Sequence, residues 1–213
     1  MEYTKTEKTI KKLSKDMDVC KECGLAIINC ICQESPKIDT KYNFYILTTE
    51  NEIYRPSNTA RLLKLADEDS VKIVVWNRTE IHSEIDKILN NGSRTYLVYP
   101  LESDNRANFE EIKESKTGEV NFIIIDGKWK ESAKIIRKSS YLQELPVIEF
   151  KNIEKSEYTL RKGAEEGELC TIEVVIELFS KCGEQENGRA MKEYFEKFKK
   201  RYYATLNGHK SKE

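Results

Sequence analysis

Four of the chain's six cysteines, Cys20, Cys23, Cys30 and Cys32, crowd into the thirteen residues CKECGLAIINCIC. The spacing C-x2-C-x6-C-x-C brings four thiols together through short turns. Four thiolates suit tetrahedral zinc, which gives binding energy to a knuckle too small to have a core of its own. A site closed by four protein ligands leaves no position for a reacting water, so the zinc expected here is structural. Reduced, partly buried thiols are the competing reading, and redox chemistry is a third. Clustered thiols in a cytosolic chain hold metal more often than they form disulfides.

A second group sits in IIIDGKW, residues 123–129. An apolar run ends in Asp126-Gly127 and a helix starts at once. Ligands of an open α/β sheet bind beyond the carboxyl ends of its strands. An acid there, followed by a glycine that admits close backbone approach, is placed to touch a substrate. An Asp helix cap would account for the acid alone. In YRPSNTARLL, residues 54–63, Arg55 and Arg61 flank a capped helix start. Two guanidinium groups and free backbone N–H groups there suit an anion, although a surface turn also fits. In YTLRKGAEEGELCTIEVV, residues 158–175, a strand carrying Arg161 leads through an acidic loop to Cys170-Thr171 and Glu173. Capping explains Thr171 and part of Glu173 but leaves Arg161 unexplained. Finally, eight basic side chains, including Lys199, Lys200 and Arg201, stand against two acidic ones between Arg189 and Lys212. That segment suits phosphate or plain solvent.

These groups need a scaffold, and the hydrophobic pattern predicts one. Runs rich in β-branched and aromatic residues predict strands over Phe44–Thr49, Val71–Trp76, Thr95–Tyr99, Phe122–Ile125 and Val147–Phe150, with a short one near Tyr158–Leu160. Helices are expected between them. One is capped by Ser57 or Asn58 and carries Leu62, Leu63 and Leu65. Another carries Ile81, Ile85, Ile88 and Leu89 and stops at Asn91-Gly92. A third has Trp129, Ala133 and Ile136 on one face. A helix near Glu110–Ser115 follows the same logic, and two more near 171–181 and 187–206 are separated by Gly183. Strands alternating with helices imply an α/β fold with a mainly parallel sheet. The expected organisation is a polar segment over 1–18, the cysteine knuckle over 19–35, the α/β domain over 36–207 and a polar tail over 208–213.

Composition agrees with one folded domain. The chain has 213 residues, 38% hydrophobic and 34% charged, with a net charge of −1. That length encloses a real core, and the balance argues against broad coating of nucleic acid. No run approaches the roughly 20 apolar residues of a membrane span. The opening MEYTKTEKTIKKLSKDMD lacks the apolar core of a secretory leader, so a cytoplasmic protein is expected.

Taken in order, the motifs resemble the DTW-domain family of tRNA-uridine aminocarboxypropyltransferases. The cysteine knuckle comes first. The R-P-S/T-N-T-x-R-L block follows as Arg55, Pro56, Ser57, Asn58, Thr59, Arg61 and Leu62, and W-x-R-T as Trp76, Arg78 and Thr79. A strand then closes in Pro100. The naming motif is Asp126, Gly127 and Trp129, with Lys128 in the threonine position. Arg137 through Pro146 match R-K-S-x-Y-L-x-x-L-P. Tyr158, Leu160, Arg161, Leu169, Cys170, Thr171 and Glu173 match the last block. The likeness spans about residues 20–203.

The resemblance implies transfer of the 3-amino-3-carboxypropyl group of S-adenosylmethionine to nitrogen 3 of a tRNA uridine, releasing methylthioadenosine. It implies a SPOUT-like fold whose chain threads a C-terminal knot around the cofactor. Asp126 is then expected to take the uridine proton, or else to bind cofactor with Glu173 or a water as acceptor. Pro100, Gly127, Trp129, Pro146, Leu169, Cys170, Thr171 and Glu173 are expected near the cofactor. Arg161 and Arg55 face either its carboxylate or a tRNA phosphate. Asn58, Arg61, Arg78, Lys128 and the basic helix with Lys199, Lys200 and Arg201 are expected to meet the RNA. A SPOUT-like RNA methyltransferase and a noncatalytic zinc-containing RNA-binding module are the alternatives.

Overall fold

A computed structural model describes residues 9–150 and 169–212. The strand expected near Tyr158–Leu160, and Arg161 with it, lie outside the described residues. Five strands form one sheet in the order β2-β1-β4-β3-β5. They are β1 (Tyr42–Thr48), β2 (Val71–Val75), β3 (Arg94–Val98), β4 (Val120–Asp126) and β5 (Val147–Ile148). Every pairing between them is parallel. Parallel strands carry helices on both faces and are buried on both. The central strand β4, VNFIIID, accordingly keeps all but Ile125 inside.

Successive side chains along a strand point to opposite faces, and each face has its own core. Phe44, Ile46, Phe122 and Ile124 lie under α2 (Ala60–Ala66), α4 (Phe109–Lys113), α7 (Thr171–Lys181) and α8 (Gln185–Leu206). The knuckle residues Cys23, Leu25 and Ile31 join that core. Tyr45, Leu47, Leu97 and Ile123 lie under α3 (Ser83–Asn90), α5 (Trp129–Arg137) and α6 (Ser140–Gln143). A Cβ on Gly188 would stand 3.4 Å from the Ile176 carbonyl, so glycine lets α8 pack closely on α7.

Several expected boundaries shift for local reasons. The helix expected to start at Ser57 or Asn58 has Thr59 as its N-cap, because the Asn58 side chain folds over to accept from the Ala60 N–H at 3.0 Å. Ile81 precedes α3 and is exposed, since His82 caps that helix. The strand expected over Val147–Phe150 holds only Val147–Ile148. In α5 the inner face is Ser132, Ile135 and Ile136, while Trp129 is 53% exposed. The short helices α1 (Glu50–Ile53) and α6, and two 3-10 turns at Ile27–Asn29 and Cys32–Glu34, carry no periodicity long enough to read. No helix of the described residues is long and apolar enough to cross a membrane.

Candidate functional site

The carboxyl ends of β1 and β4 place Thr48 and Asp126 side by side, since the two residues are register partners. Asp126 is 2% exposed. One carboxylate oxygen accepts from the Thr48 hydroxyl at 3.0 Å and from the Asn58 amide at 2.7 Å. The other accepts from the Thr171 hydroxyl at 2.6 Å. A buried carboxylate is tolerable only with such donors, and hydrogen bonds to charge are roughly twice as strong as neutral ones. The acid thus ties together β1, the loop before α2, β4 and the first turn of α7. Thr59 adds a link by accepting from the Ile172 N–H at 3.3 Å.

Beside this clasp, beyond the ends of β3, β4 and β5, lies a cavity of about 230 Å³. Of the residues expected near a cofactor, Pro100, Gly127, Trp129 and Leu169 line it together. The Trp129 ring stacks on Tyr99 with centroids 5.6 Å apart and planes 13° from parallel. Val98, Ile124 and Val174 add aliphatic walls, and Ser132 and Glu149 supply polar edges. An apolar slot with a few polar groups, placed at strand ends, is the usual form of a small-molecule site. Cys170 and Glu173 sit on the same α7 turn, where the Cys170 N–H donates to the Glu173 carboxylate at 2.8 Å. Burial, and then the charge of Glu173, push the Cys170 thiol well above its ordinary value. At neutral pH it is a neutral thiol and no nucleophile. Pro146 lies elsewhere: it immediately precedes β5 and borders a separate cavity with Arg94 and Tyr96. Arg161 lies outside the described residues.

The expected RNA-facing cations divide in the same way. Arg61 is 8% exposed, and its guanidinium donates to the Ile53 and Arg55 carbonyls at 2.6 and 2.8 Å. Gly24 of the knuckle, with φ +79°, leaves it room, since a Cβ there would stand 2.5 Å from Arg61 Nη1. Arg55 pairs with the buried Glu52 at 2.8 Å and approaches Glu131 at 3.9 Å. On α8, Arg201 pairs with Glu34 and donates to the Cys30 carbonyl at 2.7 Å, and Lys199 pairs with Glu196 at 2.7 Å. Arg78, Lys128 and Lys200 are exposed.

The four cysteine sulfurs all lie within 4.8 Å of one another, with Cys20–Cys32 at 3.7, Cys23–Cys30 at 3.9 and Cys20–Cys30 at 3.6 Å. A tetrahedron of sulfurs about 2.3 Å from zinc has edges of about 3.8 Å, so the set suits a tetrahedral metal ion. Burial pushes the Cys23 thiol up to about 11, with the charges of Cys20 and Cys30 adding to it. Thiolates this close repel one another, and a cation held among them would offset that repulsion.

Sequence reasoning had no means of finding Tyr99, Val174 or Thr48. Each reads as an ordinary strand or helix residue, and only the sheet register brings Thr48 to Asp126.

A family model described as the DTW domain matches residues 17–203. A curated Drosophila melanogaster protein, named tRNA-uridine aminocarboxypropyltransferase 2, is 27% identical over 165 residues. The aligned part covers 74% of this chain and 64% of the fly protein, so the chain spans under two thirds of that relative's length. No solved structure gives a significant match.

Proposed function

Because the chain belongs to the DTW domain family, we propose that it is a tRNA-modifying transferase. In this reading it moves the 3-amino-3-carboxypropyl group of S-adenosylmethionine to nitrogen 3 of a tRNA uridine and releases methylthioadenosine. The observation that carries it is the junction of cavity and acid: Gly127 lines the cavity and the adjoining Asp126 is the buried carboxylate. The name of the fly relative points the same way.

The residues present fit the donor. The Tyr99–Trp129 stack and the walls of Val98, Ile124 and Leu169 suit an adenine ring. Bound S-adenosylmethionine supplies a sulfonium with three activated neighbouring carbons, so selectivity rests on which carbon is presented. The protein's part is orientation. Leu169, just before α7, and Trp129, at the start of α5, wall the cavity, and the Thr171–Asp126 bond ties the first turn of α7 to the end of β4. The uridine imino nitrogen is a poor nucleophile until its proton leaves. We assign Asp126 to that proton, as acceptor or as the fixed negative charge beside it. The donors already on both its oxygens favour the second capacity. Nitrogen 3 lies on the pairing edge, so the target base is unpaired or turned out of its stack.

The same reading gives zinc to Cys20, Cys23, Cys30 and Cys32 as a structural ion. It carries over from the family resemblance a SPOUT-like fold with a C-terminal knot. A tRNA substrate implies work in the cytoplasm.

The test is mass analysis of tRNA incubated with the purified protein and S-adenosylmethionine. Uridine carrying the amino-acid arm, with methylthioadenosine released, is expected. A methyl addition would make the protein a methyltransferase, and retained but unaltered tRNA would leave only a binding module.

A further inference from the structure

Helix α5 carries more positive charge than the single RNA contact expected at Lys128 accounts for. Between Lys128 and Lys138 there are five cations, Lys128, Lys130, Lys134, Arg137 and Lys138, against one acid, Glu131. All five cations are exposed. Lys130, Lys134, Arg137 and Lys138 recur at helical spacing, so they form one outward stripe opposite the buried Ser132, Ile135 and Ile136. Glu131 is occupied at the helix start, where it accepts from the Lys128 N–H at 3.1 Å and approaches Arg55 at 3.9 Å. Among the described residues no carboxylate pairs with any cation of the stripe.

The stripe starts at the candidate site. Trp129 opens the helix and lines the cavity. Lys134 lies over the Trp76 ring, 6.0 Å from its centroid, and the exposed Arg78 follows two residues after Trp76. A track of positive charge thus leaves the cavity along α5, with Arg78 beside it. The basic helix α8 differs in both respects. It packs on the opposite face of the sheet, and Arg189, Lys197, Lys199 and Arg201 are paired with Glu186, Glu34, Glu196 and Glu34.

Unpaired cations keep their full attraction for phosphate, while paired ones must first give up a partner. Resting on the proposed tRNA substrate, we infer that the α5 stripe is the surface that grips the tRNA backbone beside the target uridine, and that α8 serves the knuckle instead. The occupant is an RNA, because a linear run of exposed cations that starts beside the cavity suits a succession of backbone phosphates.

The experiment measures binding of an unmodified tRNA transcript by fluorescence anisotropy across a salt series. The triple variant Lys130→Glu, Arg137→Glu, Lys138→Glu is compared with wild type and with Lys192→Glu, Lys200→Glu on α8. The stripe variant is expected to raise Kd at least about tenfold and to lower the slope of log Kd against log salt by about two. Its melting temperature and its binding of S-adenosylmethionine are expected to stay at wild-type values. The α8 variant is expected to change Kd less than about threefold. An unchanged Kd for the stripe variant, or a larger loss in the α8 variant, overturns the surface assignment and leaves the transferase reading standing. A wild-type protein with no affinity for tRNA overturns both.

Discussion

Thr171, in the first turn of α7, donates its hydroxyl to Asp126 at the end of β4 over 2.6 Å, across 45 positions of sequence. Thr171→Val keeps the shape and removes the donor. A hydrogen bond to a buried charge contributes about 1.5–3 kcal/mol, so urea unfolding should show a loss of that order. Thr171→Ser should restore it. Asp126→Asn should abolish transfer while binding of S-adenosylmethionine stays measurable by calorimetry. Undiminished turnover would remove Asp126 from the mechanism.

Trp129 is 53% exposed yet stacked on Tyr99. An exposed ring contributes little to the core, so Trp129→Ala should shift the melting temperature only slightly. Stacking on a base is worth about 1–3 kcal/mol, so cofactor or tRNA affinity should fall about tenfold or more. Trp129→Phe should recover part of it. Equal affinities in all three proteins would exclude a stacking role.

Metal removal should reach beyond the knuckle. Arg201 holds the Cys30 carbonyl, and the Asn29 amide donates to Thr205 at 3.0 Å and to the His209 carbonyl at 2.9 Å. Chelation, or Cys20→Ser with Cys23→Ser, should therefore speed amide exchange in the last turns of α8 as well as in residues 19–32. Elemental analysis finding no metal in freshly purified protein would dispose of the zinc assignment.

Stability should decline on the alkaline side through Cys182. Burial, with the charge of Glu184 nearby, pushes this thiol from 9.0 up to about 12. A raised folded value means that the unfolded chain loses its proton first. Stability is then whole below pH 9 and falls as pH rises toward 12. Tyr42 shifts the same way through burial, and its hydroxyl donates to the Cys182 carbonyl at 3.1 Å. Urea midpoints taken between these pH values should fall less steeply in Cys182→Ala than in wild type. Parallel slopes would rule the thiol out.

Much of the architecture was legible because it is periodic. The continuous apolar runs FYIL and FIII mark strands buried on both faces, and the helical spacing of Ile172, Val175, Leu178 and Phe179 specifies which side of that helix faces a core. That is why α7 occupies the expected span, 171–181. The orientation of α5 was misread because Trp129 is large and apolar, whereas the tyrosine beside the cavity stacks on it from outside the helix. The short helices were missed because four residues carry too little pattern.

By itself the sequence determined the strand and helix types, the four-cysteine set and the order of the motif blocks, since all of these are written in neighbouring residues. Tertiary structure alone decided that Thr48, Asn58 and Thr171 converge on Asp126, that Arg61 turns inward to the Ile53 and Arg55 carbonyls and Arg201 to the knuckle, and that the α5 cations meet no carboxylate among the described residues. The physical reason is that charge and hydrogen-bonding capacity belong to single residues, while the partner that satisfies them is chosen by strand order and packing.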